Sequence, residues 1–141
     1  MDITFKPSTN LIELAKITFN NMEPYYRKYS VDWRVQEIVE KTSGLENFDI
    51  LHQSSIVGVL RLQYDVDYCY LRDIQVDPLF QNKGIGKAAL MEAKRLTLNY
   101  GLKDLKLRVF KISPAINLYK RNGFTVESED DRFFNMVAKV S

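Results

Sequence analysis

Cysteine is almost missing from this chain of 141 residues: Cys69 stands alone, which excludes an internal disulfide framework and suits a reducing compartment. Histidine is equally scarce, and His52 with Cys69 cannot assemble a four-ligand zinc site, so no metal is expected. Long apolar runs are lacking too. None approaches the ~20 residues that a helix needs to cross a bilayer, and residues 1–6, Met-Asp-Ile-Thr-Phe-Lys, have neither a basic start nor a long apolar centre. From these absences we expect a cytoplasmic protein with no membrane partner. Nor is one charge in excess: 20 Lys and Arg against 18 Asp and Glu leave a net +2, which implies no general grip on nucleic acid. What remains, 45% hydrophobic and 27% charged, is the composition of a globular chain long enough for one ordinary domain, 1–141. No repeat, low-complexity segment or linker interrupts it.

The apolar pattern switches between strand and helix periods. Residues 3–6 suggest a short first strand. Leu11, Leu14, Ala15, Thr18 and Phe19 trace one helix face behind a cap among Ser8, Thr9 and Asn10, and Asp32 could cap a second helix to about residue 41. Residues 48–51 and 56–64 read as strands joined by a tight turn at Gln53-Ser54, and 68–76 as a third, with Cys69 buried in it. A helix is expected from 87 to about 100 on Ala89, Leu90, Ala93, Leu96 and Leu98. After it come a strand at 105–110, a short helix opened by Pro114 and closed before Gly123, and a strand pair at 124–127 and 133–140.

Two of the six glycines fall within three residues, in the run Gln81-Asn82-Lys83-Gly84-Ile85-Gly86-Lys87 where the helix at 87–100 begins. The first turn of a helix has unpaired N–H groups and the positive end of the dipole, so an anion is favoured there, and glycine lets the backbone approach it. A glycine pair also serves turns and close packing, so its neighbours must decide. The dinucleotide fingerprint formally fits residues 84–89, but a loop through Asp77-Pro78 separates them from the strand, and the next strand ends on Lys111 where an acid is needed. A P-loop requires glycine five positions before Gly86 and Ser or Thr after Lys87, where this chain has Gln81 and Ala88.

At every defined position the run 81–86 resembles the Gln/Arg-x-x-Gly-x-Gly/Ala signature of the GNAT superfamily of N-acetyltransferases. The preceding Tyr-Leu-Arg-Asp-Ile-Gln-Val-Asp-Pro at 70–78 resembles that family's fourth strand and its exit. Residues 109–124 resemble its fifth strand, the next helix and the Leu-Tyr-x-x-x-Gly-Phe ending. The resemblance covers 68–124 and implies an α/β fold: a single GNAT-like domain with a mixed central sheet of about six to seven strands, helices on both faces, and strands four and five splayed apart. It implies acetyl-CoA as acetyl donor, with its pyrophosphate on Gln81, Asn82, Lys83, Gly84, Ile85, Gly86 and Lys87 and its pantetheine arm along Ile74, Gln75 and Val76. A splayed strand has unpaired backbone groups that an amide-rich arm can satisfy, and one such N–H can polarise the thioester carbonyl. Tyr119 would then protonate the departing thiolate, a proper task for a phenol. The family often has Asn two or three residues before the alanine that matches Ala115, whereas this chain has Ile112 and Ser113. Ser113 can hydrogen-bond the donor or cap the helix at Pro114.

An attacking amine must first lose a proton, since an alkylammonium has a pKa of roughly 10. Asp73 is the candidate base. Strict alternation sets it on the side of the strand opposite Arg72, and a salt bridge to Arg61 or Arg72 is the competing role. Asp67, Tyr70 and Glu127 are alternatives, and His52 reads as a turn residue. Tyr25, Tyr26, Trp33 and Phe133 could line a wall for a cationic amine, and any one of them also suits a core or a homodimer interface. The expected function is acetyl transfer to a primary amine, of a small molecule or a peptide, by direct attack in a ternary complex. The alternative is a noncatalytic acyl-CoA-binding or regulatory domain of the same fold.

Overall fold

The computed structural model describes residues 2–141. Its elements run β1 (Thr4–Pro7), α1 (Leu11–Lys28), α2 (Val35–Thr42), β2 (Glu46–His52), β3 (Ser55–Tyr64), β4 (Cys69–Val76), α3 (Ile85–Asn99), β5 (Asp104–Phe110), α4 (Ala115–Arg121), β6 (Thr125–Glu129) and β7 (Phe133–Lys139). The strands form one mixed seven-stranded sheet in the order β1-β2-β3-β4-β5-β7-β6, the α/β architecture expected from the sequence. The β4–β5 pair is parallel, and β1–β2, β5–β7 and β6–β7 are antiparallel. The parallel register pairs Cys69, Tyr70 and Leu71 with Leu105, Lys106 and Leu107, although β4 runs on to Val76 and β5 to Phe110. The ladder thus lapses before either strand ends.

The described residues form two compact units, one of residues 2–61 and 73–86, the other of 62–72 and 87–141. In the first unit, Ala15 and Tyr26 of α1 pack with Ile38 of α2, flanked by Phe19, Met22, Val31, Val35 and Val39. Asn10 is the α1 cap, its Oδ1 accepting from the Glu13 N–H at 3.3 Å. The expected cap of α2 is corrected. Asp32 instead faces the Arg34 guanidinium at 3.9 Å, and the Glu37 carboxylate reaches back to the Arg34 N–H at 3.2 Å. A Glu at the third helical position satisfies that donor from inside the helix, so the helix opens at Val35 without Asp32. The β2–β3 turn stands where expected, with Gln53 and Ser54 at φ of +50° and +69°, the twist that two-residue hairpins demand. Gly58 in β3 is required by contact: a Cβ there would lie 2.4 Å from the Gln75 carbonyl oxygen.

In the second unit α3 buries Ala89, Leu90 and Ala93, and the strands bury Leu105, Leu107, Val109, Met136 and Ala138. Cys69 is fully buried, and burial pushes its thiol pKa up against a hydrogen bond with Thr97 of α3. The helix α3 starts at Ile85, two residues before the expected start. Gly84, at φ +83°, is the last non-helical residue, and Ile85 is buried. Among the described residues, no helix is long and apolar enough to cross a membrane.

Candidate active site

The proposed donor loop begins where β4 ends. Asp77 Oδ1 accepts from the Leu79 N–H at 2.9 Å and caps a 3₁₀ turn over Pro78–Phe80, closed by the Phe80 N–H on the Asp77 carbonyl at 2.8 Å, which sequence reasoning did not anticipate. Gln81, Asn82, Lys83 and Gly84 follow, all exposed, before the first helical turn at Ile85, Gly86 and Lys87. Asn82 and Gly84 hold φ of +62° and +83°. Alternating left-handed and ordinary residues form a backbone concavity suited to anions, and Asn and Gly are the residues that tolerate it. A Cβ on Gly84 would meet nothing within 4 Å, so glycine serves conformation there, not space. Lys83 places its ammonium 5.9 Å from the Phe80 ring centre.

A polar network runs through the same unit behind this loop. Arg61, fully buried in β3, donates from Nε to Asn47 Oδ1 at 2.9 Å and from Nη1 to Thr18 Oγ1 at 2.8 Å and Asp73 Oδ2 at 2.9 Å. Gln75 Nε2 donates to Asp73 Oδ1 at 2.7 Å. Asn21 Nδ2 donates to Gln75 Oε1 at 3.1 Å and to the Val76 carbonyl at 2.9 Å. Gln81 Nε2 reaches the same carbonyl at 3.0 Å. The ion pair weighed against a base role for Asp73 is therefore present, with Arg61. Arg72 instead donates to Gln63 at 3.2 Å. Gln63 and Arg61 stand two apart on β3 and share a side, so the strict alternation expected between Arg72 and Asp73 lapses. Sequence reasoning found Arg61 only as a partner and missed Asn21. A charged residue inside the run Val59-Leu60-Arg61-Leu62 is itself a signal, because a buried guanidinium needs several acceptors.

Also in this unit, Phe19, Glu23, Tyr26 and Trp33 line part of a depression of about 230 Å³. The Tyr26 and Trp33 rings meet edge to face at 5.6 Å. Its charges are largely compensated, with Glu23 paired to Arg27, Asp32 to Arg34, and Lys41 over the Trp33 ring at 5.0 Å. The Tyr26 phenol is pushed up to about 12, first by burial and then by the Asp73 carboxylate, with Arg61 opposing. His52 ends β2, with Nδ1 3.1 Å from the Asp2 carbonyl oxygen.

In the second unit, Tyr119 of α4 is buried, its ring edge-on to Phe124 at 5.7 Å, and its carbonyl accepts from the Phe124 N–H at 3.1 Å. Gly123, at φ +93°, ends the helix as expected. Lys94 of α3 hydrogen-bonds the Asn122 carbonyl and lies over the Phe124 ring, tying down the end of α4. Ser113 Oγ accepts from the Ala115 N–H at 3.2 Å, one residue before the N-cap position, which Pro114 holds, and its own O–H is not used by that bond. Burial raises the Tyr70 pKa, against Arg72 and Arg108, so it is a neutral phenol at neutral pH. Glu127 pairs with Lys106 at 3.3 Å, and Asp67 lies in the exposed β3–β4 connection. Phe133 stacks on Phe110 at 4.4 Å, with the Arg108 guanidinium 3.8 Å from its ring centre. Among the described residues no three His, Cys, Asp or Glu side chains gather as a metal site would require.

Comparison with known proteins places this geometry in context. The profile of the acetyltransferase (GNAT) family matches residues 9–124. A spermidine N(1)-acetyltransferase of Thermoplasma acidophilum is 31% identical over 118 residues, covering 79% of this chain and 71% of that protein. The crystal structure of the PaiA N-acetyltransferase of T. acidophilum in complex with coenzyme A is 27% identical and superposes over 99% of both chains with a TM-score of 0.73. A GNAT family acetyltransferase of Elizabethkingia anophelis with acetyl-CoA bound, 19% identical, shares the fold over 97% of both chains with a TM-score of 0.73.

Proposed function

The chain belongs to the acetyltransferase (GNAT) family, and from that premise we propose that it acts as one acetyltransferase domain that moves the acetyl group of acetyl-CoA to a primary amine. The loop between Gln81 and Gly84 carries the reading, because its two positive-φ residues lead directly into the start of α3. In this proposal the backbone at Gln81, Asn82, Lys83, Gly84, Ile85, Gly86 and Lys87 takes the pyrophosphate, with Lys83 and Lys87 adding positive charge. Ile74, Gln75 and Val76 offer backbone groups to the pantetheine arm. The Val76 carbonyl already has two side-chain donors, which leaves its N–H as the group to contribute. Ser113 keeps a hydroxyl proton for the donor while its oxygen accepts from the Ala115 N–H.

The reaction we propose is direct attack in a ternary complex. The amine nitrogen forms a bond to the thioester carbon, the carbonyl pair moves onto oxygen, and collapse expels the CoA thiolate as the amide forms. Tyr119 gives the thiolate its proton. The ammonium proton leaves through Asp73, whose salt bridge with Arg61 also fixes its position. Coenzyme A in the related PaiA structure supports the donor. The spermidine acetyltransferase relative makes a polyamine the first acceptor to try, ahead of peptide amines. A cytoplasmic setting, where acetyl-CoA is made and a free Cys69 stays reduced, suits this chemistry. The direct test of the donor half is binding: calorimetric titration of the protein with acetyl-CoA should show a single saturable site, weakened by Gly84→Val, which forces a branched side chain into φ +83°. No saturable binding at millimolar acetyl-CoA would refute it.

A further inference from the structure

Asn21 sits in α1, more than fifty residues before the strand exit that its side chain touches. Its amide donates to Gln75 Oε1 and to the Val76 carbonyl, the last carbonyl of β4 before the donor loop. The same oxygen accepts from Gln81 Nε2 at the first residue of that loop. One carbonyl, with two lone pairs, therefore joins α1 to the start of the loop. The direction of these amides is set by charge. An ionised carboxylate only accepts, so Asp73 draws the NH₂ of Gln75 toward itself. Gln75 must then offer its oxygen to Asn21, whose NH₂ has one proton for Gln75 and one for Val76. Polarity is transmitted from the buried Arg61–Asp73 pair to the loop without a free choice at any step.

The loop needs such an anchor. Its residues 81–84 are exposed, so little packing of their own fixes where the left-handed turns at Asn82 and Gly84 stand, and the contacts at the strand exit must do so. We infer that Asn21 is a positioning residue for the donor: it fixes the Val76 carbonyl, and through Gln81 the backbone that receives the pyrophosphate. This rests on the acetyl-CoA reading above. Asn21 touches no donor atom in this scheme and acts only through Val76 and Gln81.

Calorimetric titration with CoA tests the inference without knowledge of the acceptor. Asn21→Leu, which keeps the volume and removes both donors, should raise the CoA Kd about tenfold, and Gln81→Met should do the same. The double variant should be little worse than either single, because both act on one carbonyl; a general packing role for Asn21 would make the effects multiply. Asn21→Asp, nearly isosteric but turning an acceptor toward two acceptors, should match the leucine variant, and it carries the comparison if leucine does not fold. Wild type that binds CoA while Asn21→Leu stays within about twofold, or a fully multiplicative double variant, overturns the inference and leaves the donor reading standing. Wild type that fails to bind CoA overturns both.

Discussion

Replacing Arg61 by methionine removes a fully buried guanidinium and strands three acceptors at once: Asn47 Oδ1, Thr18 Oγ1 and Asp73 Oδ2. Deleting one partner of a buried ion pair costs about 3–5 kcal/mol, because the other charge is left uncompensated. The Asp73 side chain is 23% exposed, so water recovers part of that loss and about 3 kcal/mol is expected. In a chain of this size that corresponds to a fall in Tm of roughly 10 °C. The second substitution decides the cause. Arg61 Nη2 has no hydrogen-bond partner among the described residues, so the pair is imperfectly satisfied even in the native state. Removing both charges with Arg61→Met and Asp73→Leu should therefore recover at least about 2 kcal/mol relative to Arg61→Met alone. Urea unfolding followed by circular dichroism measures Arg61→Met, Asp73→Leu and the double variant, with an unchanged m-value as the check that the unfolded state is comparable. An Arg61→Met loss below about 1 kcal/mol, or a double variant as unstable as the sum of the singles, would refute the argument that Asp73 is held by a buried charge.

Other outcomes follow from single contacts. Gly58→Ala should cost about 2–3 kcal/mol in thermal unfolding, since its Cβ would stand 2.4 Å from the Gln75 oxygen and push β4 away; Gly44→Ala, with nothing within 4 Å, should be nearly neutral. The Tyr26 phenol is raised from the usual 10.0 to about 12, so the folded state keeps a proton that the unfolded chain releases. Its contribution to stability is intact below pH 10 and lost as pH rises through 12; alkaline unfolding of Tyr26→Phe should lack that component, and an identical alkaline limb would count against it. Tyr119→Phe should lower turnover about a hundredfold in a chemistry-limited assay while CoA affinity changes little. Unchanged turnover would remove the acid from the mechanism.

Legibility from sequence tracked the range of the interaction. The tight turn at Gln53-Ser54 and the stop at Gly123 were readable because chain length and local backbone chemistry decide them. The sequence pattern places the start of α3 two residues late because two glycines in three residues look like a loop, whereas Gly86 lies inside the first turn and, of the two, only Gly84 is left-handed. Asp32 looked like a cap by residue type, but Glu37 had already satisfied the donor from within the helix. The loop at 81–87 is legible as a motif, and the amide chain behind it is not. Residues 21, 75, 76 and 81 have no periodic relation, and meet only once α1 lies beside the exit of β4. Gln81 illustrates both halves: its place in the motif is evident, while the bond from its side chain back to the Val76 carbonyl is not.

Acetyl transfer itself is the most direct test. Purified protein incubated with acetyl-CoA and a set of primary amines, polyamines first and peptide N-termini and lysines after, is assayed for free thiol and for acetylated product by mass spectrometry. The account predicts thiol release that depends on the amine, matched one to one by a product acetylated on nitrogen. Saturable acetyl-CoA binding with no acetylated product from any amine in the set would contradict it and leave a donor-binding domain without catalysis.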